Sequence, residues 1–168
     1  MNALADDFRS GCVSFIAAIR AGGGNVTVNS TRRPAERAYL MHYSWRIHKK
    51  TINPQNVPSK TGVDIDWVHR NSDGTVNIEK SRNAATAMVE KYDIAFQPSL
   101  TSRHVTGHAI DMSIGWRGDL KVQAKDGTEK AISTLPRDGF NLSLRKVGKS
   151  YGVTKHSSDP PHWSTDGK

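Results

Sequence analysis

At 168 residues, with 36% hydrophobic and 24% charged side chains, the chain has the size and polarity of one water-soluble globular domain that buries a sizeable core. No apolar run approaches the ~20 residues that span a bilayer, and a lone cysteine, Cys12, excludes an intramolecular disulfide and a cysteine-built zinc cage. The net charge of +8 and a pI near 9.8 favour polyanions, a class that takes in nucleic acid, anionic lipid and the acidic polymers of a bacterial envelope.

The first residues, Met1-Asn2-Ala3-Leu4-Ala5-Asp6-Asp7, lack the basic and apolar segments of a secretory signal, so the chain is expected to be made in the cytoplasm without one. Residues 4–20 carry apolar side chains at Leu4, Phe8, Cys12, Phe15, Ile16 and Ile19, the spacing of a helix with one buried stripe. Asp6 and Asp7 suit its positive end, and Gly22-Gly23-Gly24 closes it. Residues 25–30, rich in β-branched side chains, read as a strand. Pro34 suits the first position of a second helix, with Ala38, Met41, Trp45 and His48 on one face. The densest basic stretch, Arg32, Arg33, Arg37, Arg46, Lys49 and Lys50, falls here without an aromatic-rich nucleic-acid module beside it.

Residues 51–77 hold Pro54, Pro58, Gly62 and Gly74 without a sustained period and read as a long irregular connection, the kind of segment that walls or covers a site. Asp64, Asp66 and His69 cluster within it, and Asp64 and Asp66 read as solvated loop carboxylates, their spacing being weak support for calcium. A helix over 79–92 turns Ala84, Ala85, Met88 and Val89 inward. A strand follows through Ala109-Ile110-Asp111-Met112-Ser113-Ile114. Residues 120–124 and 130–134 form a hairpin about Asp126-Gly127, and Phe140, Leu144, Val147 and Tyr151 mark a last helix before Gly152. The order is that of an α+β fold, a small antiparallel sheet covered by helices, in a single domain over 1–168.

Two segments carry chemistry. Ser102-Arg103-His104-Val105-Thr106-Gly107-His108-Ala109-Ile110-Asp111 sets an imidazole and a carboxylate about a glycine where the chain enters a strand. Asp159-Pro160-Pro161-His162-Trp163 supplies a second imidazole with a carboxylate shortly before it. His104, Asp111 and His162 together give two nitrogens and one oxygen, three ligands of an open zinc site that leaves a position for water. Asp159 is then placed to take a proton from that water, and Pro160-Pro161 stiffens the segment between.

The first motif, Ser-x-His-x-x-Gly-x-Ala-x-Asp, and the second, acidic residue, two positions, His and an aromatic, resemble those of the zinc D-Ala-D-Ala carboxypeptidase and L-alanyl-D-glutamate endopeptidase family. That family includes phage endolysins and belongs to a group with hedgehog-type and lysostaphin-like domains. Val28-Asn29-Ser30-Thr31-Arg32-Arg33 is similar to the family's strand ending in Ser-Gly-Tyr-Arg.

The resemblance implies a hedgehog/D-Ala-D-Ala peptidase-like fold. It also implies Zn2+ on His104, Asp111 and His162, with Asp159 as general base and Arg33, or its neighbour Arg32, stabilising the developing oxyanion. Ser102, His156 and Trp163 are expected to support substrate, and His108 to be structural. The implied protein is an endolysin-like peptidoglycan hydrolase, a monomer reaching the cell wall through a separate pore, and nucleic acid is not expected as its partner. The bond most in keeping with the resemblance is L-Ala–D-Glu. D,D-carboxypeptidase or cross-link cleavage by the same centre stays open, as does a zinc-containing wall-binding module without turnover.

Overall fold

In the computed structural model, which describes residues 1–168, the chain forms two compact units: Met1–Arg33 with Arg103–Lys168, and Pro34–Ser102. No linker composition marks them, since the chain leaves the first unit at 33–34 and returns at 102–103 without a glycine- or serine-rich run. The secondary structure is α+β, and no helix is long and apolar enough to cross a membrane.

The first unit is built on α1 (Asp6–Ala21), whose buried residues Phe8, Cys12, Phe15, Ile16 and Ile19 are the stripe expected from their spacing. Cys12 is a core residue, and burial pushes its thiol up to about 12. The sheet has the order β1-β2-β6-β5, all antiparallel: β1 (Asn25–Ser30), β2 (Ala109–Gly115), β5 (Thr154–Lys155) and β6 (His162–Ser164). Successive strand residues point to opposite faces. Ile110, Met112 and Ile114 of β2 therefore join Trp163 of β6 and the α1 stripe in one core, and Asp111 and His162 fall on the other face. The expected hairpin is a separate ribbon, β3 (Leu120–Gln123) with β4 (Glu129–Ile132). Helix α5 (Leu142–Ser150) starts at Asn141, whose side chain accepts from the Ser143 and Leu144 amides, so Phe140 lies just ahead of the helix.

The second unit packs α2 (Ala35–His48) with α3 (Ile78–Lys91). Pro34 precedes α2 at its cap position rather than opening it. Of the expected face Ala38 is buried, while Met41, Trp45 and His48 are half-buried; the inward face runs through Tyr39, Tyr43 and Ile47, because the large rings there find Trp67 and Ala85 to pack on. On α3, Ala85 and Ser81 are buried, with Met88 half-buried against the same cluster.

Residues 51–77 are not a free cover. Val57, Val63, Ile65 and Trp67 fill the other side of this second core, and the Trp67 indole donates to the Tyr39 hydroxyl at 3.2 Å, which donates to the Pro58 carbonyl at 2.7 Å. Asp64 and Asp66 point outward, Asp66 accepting from the Val68 amide in a local turn.

Helix α1 packs so closely on the segment after α5 that a Cβ on Gly11 would lie 2.2 Å from the Tyr151 carbonyl oxygen. Alanine favours a helix interior over glycine by ~1 kcal/mol, but here the clash is with backbone. Gly11→Ala is expected to destabilise the protein by ~1–3 kcal/mol in urea unfolding. A gain in stability would show that the two segments do not meet as described.

Candidate metal centre

The register of the central strands generates the site. Asp111 pairs with Ser30 of β1 on one side and with His162 of β6 on the other. Residues directly opposite in antiparallel strands share a face, so the Asp111 carboxylate and His162 imidazole lie side by side. His104 comes from α4 (Arg103–Thr106), a single turn placed just before β2. Gly107 joins the two with φ +79°, a left-handed conformation that favours glycine, and its Cα lies so near the N-terminal segment that a Cβ would sit 3.0 Å from the Ala5 amide. The Gly107 carbonyl accepts from that same amide at 3.0 Å, and the His104 carbonyl accepts from the Arg33 amide at 2.9 Å, anchoring α4 to both neighbours.

Three atoms converge. His104 Nε2 lies 3.2 Å from Asp111 Oδ1 and 3.2 Å from His162 Nδ1, and His162 Nδ1 lies 3.3 Å from Asp111 Oδ1. These are the groups whose arrangement suits a metal ion. Tetrahedral zinc with bonds of ~2.0–2.1 Å separates its ligand atoms by ~3.3–3.4 Å. The triangle therefore needs only a few tenths of an ångström of adjustment to hold such an ion, with the remaining apex open.

The outer nitrogens determine which lone pairs face inward. His104 Nδ1 meets the Thr31 carbonyl and His162 Nε2 meets the Lys168 carbonyl at 3.1 Å. A carbonyl only accepts, so each outer nitrogen carries the hydrogen and each inner nitrogen presents a lone pair, the arrangement that orients histidine toward a metal. Both rings are buried, while the Asp111 side chain keeps 18% of its surface exposed, which leaves solvent an approach.

Burial opposes charge on Asp111, but the hydrogen bonds that His104 and His162 donate when their rings are protonated, with the positive charge the rings then carry, outweigh it and hold the carboxyl well below its usual range. For His162 burial disfavours the charged ring, yet the Asp111 and Lys168 hydrogen bonds and the Asp111 and Asp159 charges win and raise its pKa. Both shifts reflect attraction between the Asp111 carboxylate and positive charge placed beside it.

The other expected residues fall differently. Asp159 is exposed in the turn closed by the His162 amide on the Asp159 carbonyl at 3.3 Å, so its carboxylate is on the loop that delivers His162. His156 stands edge-on to His162, ring centroids 5.6 Å apart. Its Nδ1 accepts from the Ser158 and Asp159 amides at 3.2 and 3.0 Å, which leaves Nε2–H as the donor. Arg33 is half-buried and is tied to His104 through its backbone. Ser102 ends the second unit, two positions before His104 in the chain. His108 sits outside the triangle, against Thr106 and facing Asp7.

Trp163 is a correction. It is fully buried against Phe15, ring centroids 5.4 Å apart, because it follows His162 in a strand and so points to the opposite face. Without exposed surface it cannot touch substrate.

Two features were not read from the sequence. Lys155 is buried with its ammonium among three carbonyls, and burial pushes it down to about 8 against the opposing charge of Asp159. Arg103 grips Asp166, and Ser164 and Asp166 accept from the Lys168 amide, which fixes the carbonyl behind His162. No family model and no curated protein matches the chain.

The Arg103 guanidinium beside Asp166 holds its carboxyl down to about 2, from an ordinary 3.8. A carboxyl depressed in the folded state stabilises above its unfolded pKa, and that contribution is lost as pH falls through the folded value. Because the two side chains are 48% and 32% exposed, solvent screens the pair and keeps its contribution small. Urea unfolding of wild type and Asp166→Asn is expected to differ by a constant amount above about pH 5, the difference vanishing between pH 3.8 and about 2. A difference unchanged at the acid end would remove the ion pair as its source.

Proposed function

We propose that the chain is a zinc-dependent peptidoglycan peptidase of the endolysin type, with a hedgehog/D-Ala-D-Ala peptidase-like fold around His104, Asp111 and His162. The observation that carries this reading is the triangle of 3.2, 3.2 and 3.3 Å formed by inward-facing lone pairs, with a carboxylate on the adjoining turn. A structural zinc site is usually closed by four protein ligands, whereas a catalytic one keeps three and an open position. The positive charge of +8 suits an anionic envelope polymer as partner.

A divalent ion held by these groups supplies Lewis acidity toward a carbonyl oxygen and makes water nucleophilic near neutral pH. Asp159 accepts the proton of the attacking water and returns it to the leaving amine. The Arg33 guanidinium and the His156 Nε2–H answer the negative charge that develops on the carbonyl oxygen, and Ser102 helps seat the stem peptide. The bond assigned is L-Ala–D-Glu, on the motif resemblance; D-Ala-containing bonds are the alternative substrates of the same centre.

Purified peptidoglycan digested with the protein and analysed by mass spectrometry is expected to release free stem peptides lacking their L-Ala, and a chelator is expected to abolish that release. Asp159→Ala is expected to lose ~10²–10⁴-fold in rate while still binding zinc. Zinc bound at stoichiometry without any cleavage would make the protein a wall-binding module. Full activity in the alanine variant would remove Asp159 from its assigned role.

A further inference from the structure

Lys155 is 3% exposed, yet its ammonium is paired with no carboxylate oxygen. It donates to the carbonyls of His156 and His162, both at 3.1 Å, and to that of Asp159. An ammonium carries three donors, and here three carbonyls take them. The nitrogen also lies over the Phe140 ring, 4.6 Å from its centroid, and 5.6 Å from that of Trp163. Burying a cation with no carboxylate in contact is costly, even with the Asp159 charge nearby. A methionine would fill the same space without that cost, so the charge and the donor count distinguish this side chain from a packing residue.

The three carbonyls all belong to the stretch 156–162, which begins at His156, turns through Asp159 and ends at His162. The Asp159 peptide is held from both sides: its amide by the His156 ring, its carbonyl by Lys155 and by the His162 amide. The His162 carbonyl is held by Lys155 and the His156 amide, while its ring faces the triangle.

We propose that Lys155 is a positioning residue, an internal cation around which the 156–162 loop is wound, and that it places the His162 ligand and the Asp159 carboxylate. The proposal rests on the metal-peptidase reading for the purpose of that placement, but the winding of the loop is testable without substrate.

The full chain is compared as wild type, Lys155→Met and Lys155→Arg. Methionine keeps the stem and removes the donors. Arginine keeps the charge but presents a planar fork that does not match three converging carbonyls. Zn2+ affinity, measured by competition with a chromophoric chelator, is expected to fall ~10–100-fold in Lys155→Met, with no rescue by arginine. In the metal-free protein, NMR is expected to show displaced His162 ring nitrogens and faster amide exchange confined to 156–162, with the His104 ring unmoved. In wild type, the Lys155 ammonium is expected to give a slowly exchanging 15N signal coupled through hydrogen bonds to the three carbonyls, a measurement that needs no variant to fold. A folded methionine variant with unchanged zinc affinity and unchanged 156–162 signals would overturn the proposal, as would a freely exchanging wild-type ammonium. A wild type that cuts no peptidoglycan but passes these tests would overturn the peptidase reading alone.

Discussion

Two imidazole lone pairs and a carboxylate oxygen brought to within 3.2–3.3 Å of one another repel unless positive charge lies between them. In this protein the rings cannot relieve the repulsion by turning a hydrogen inward, because the Thr31 and Lys168 carbonyls already claim one on each ring. An added proton answers in part, and the raised pKa of His162 reflects it. A divalent cation would answer more completely, since it would engage all three groups at once with only a small adjustment of their spacing. The rest of the first unit serves this convergence: the register that sets Asp111 against His162, the left-handed glycine that folds α4 back, and the Arg103–Asp166 pair that secures the carbonyl behind His162.

The sheet separates stability from chemistry by parity. One face of β2 and β6 gives Ile110, Met112, Ile114 and Trp163 to the core under α1, and the other gives Asp111 and His162 to the candidate centre. A rigid, close-packed layer therefore lies directly behind the ligands, which suits a site whose geometry must hold to a few tenths of an ångström. The Lys155 ammonium extends that order into the loop, where backbone carbonyls rather than side chains need fixing.

Much of this was legible in the amino-acid order. The α1 stripe, the strands about Asp111 and the triad itself follow from helical spacing, β-branching and the pairing of imidazole with carboxylate. What escaped did so for definable reasons. The partners of the outer ring nitrogens are backbone carbonyls, which every residue has, so no residue type announces them. Trp163 was assignable by parity, since the neighbour of a strand ligand points away from it. Lys155 was similarly exposed to inference: it shares parity with Val153, a core residue, and so stands inward. Residues 63–67 alternate apolar and acidic, a period-two signal of a half-buried extended segment that the surrounding prolines and glycines obscured. The inward face of α2 depended on Trp67, far along the chain, which helical spacing alone does not reveal.

The central claim is most directly tested by growing crystals with Zn2+ and recording anomalous differences at the zinc edge. The account predicts one strong peak ~2.0–2.2 Å from His104 Nε2, His162 Nδ1 and an Asp111 carboxylate oxygen, with a fourth position not taken by protein. A difference map empty there at saturating zinc, or an ion ligated elsewhere while the three side chains stay in place, would contradict it.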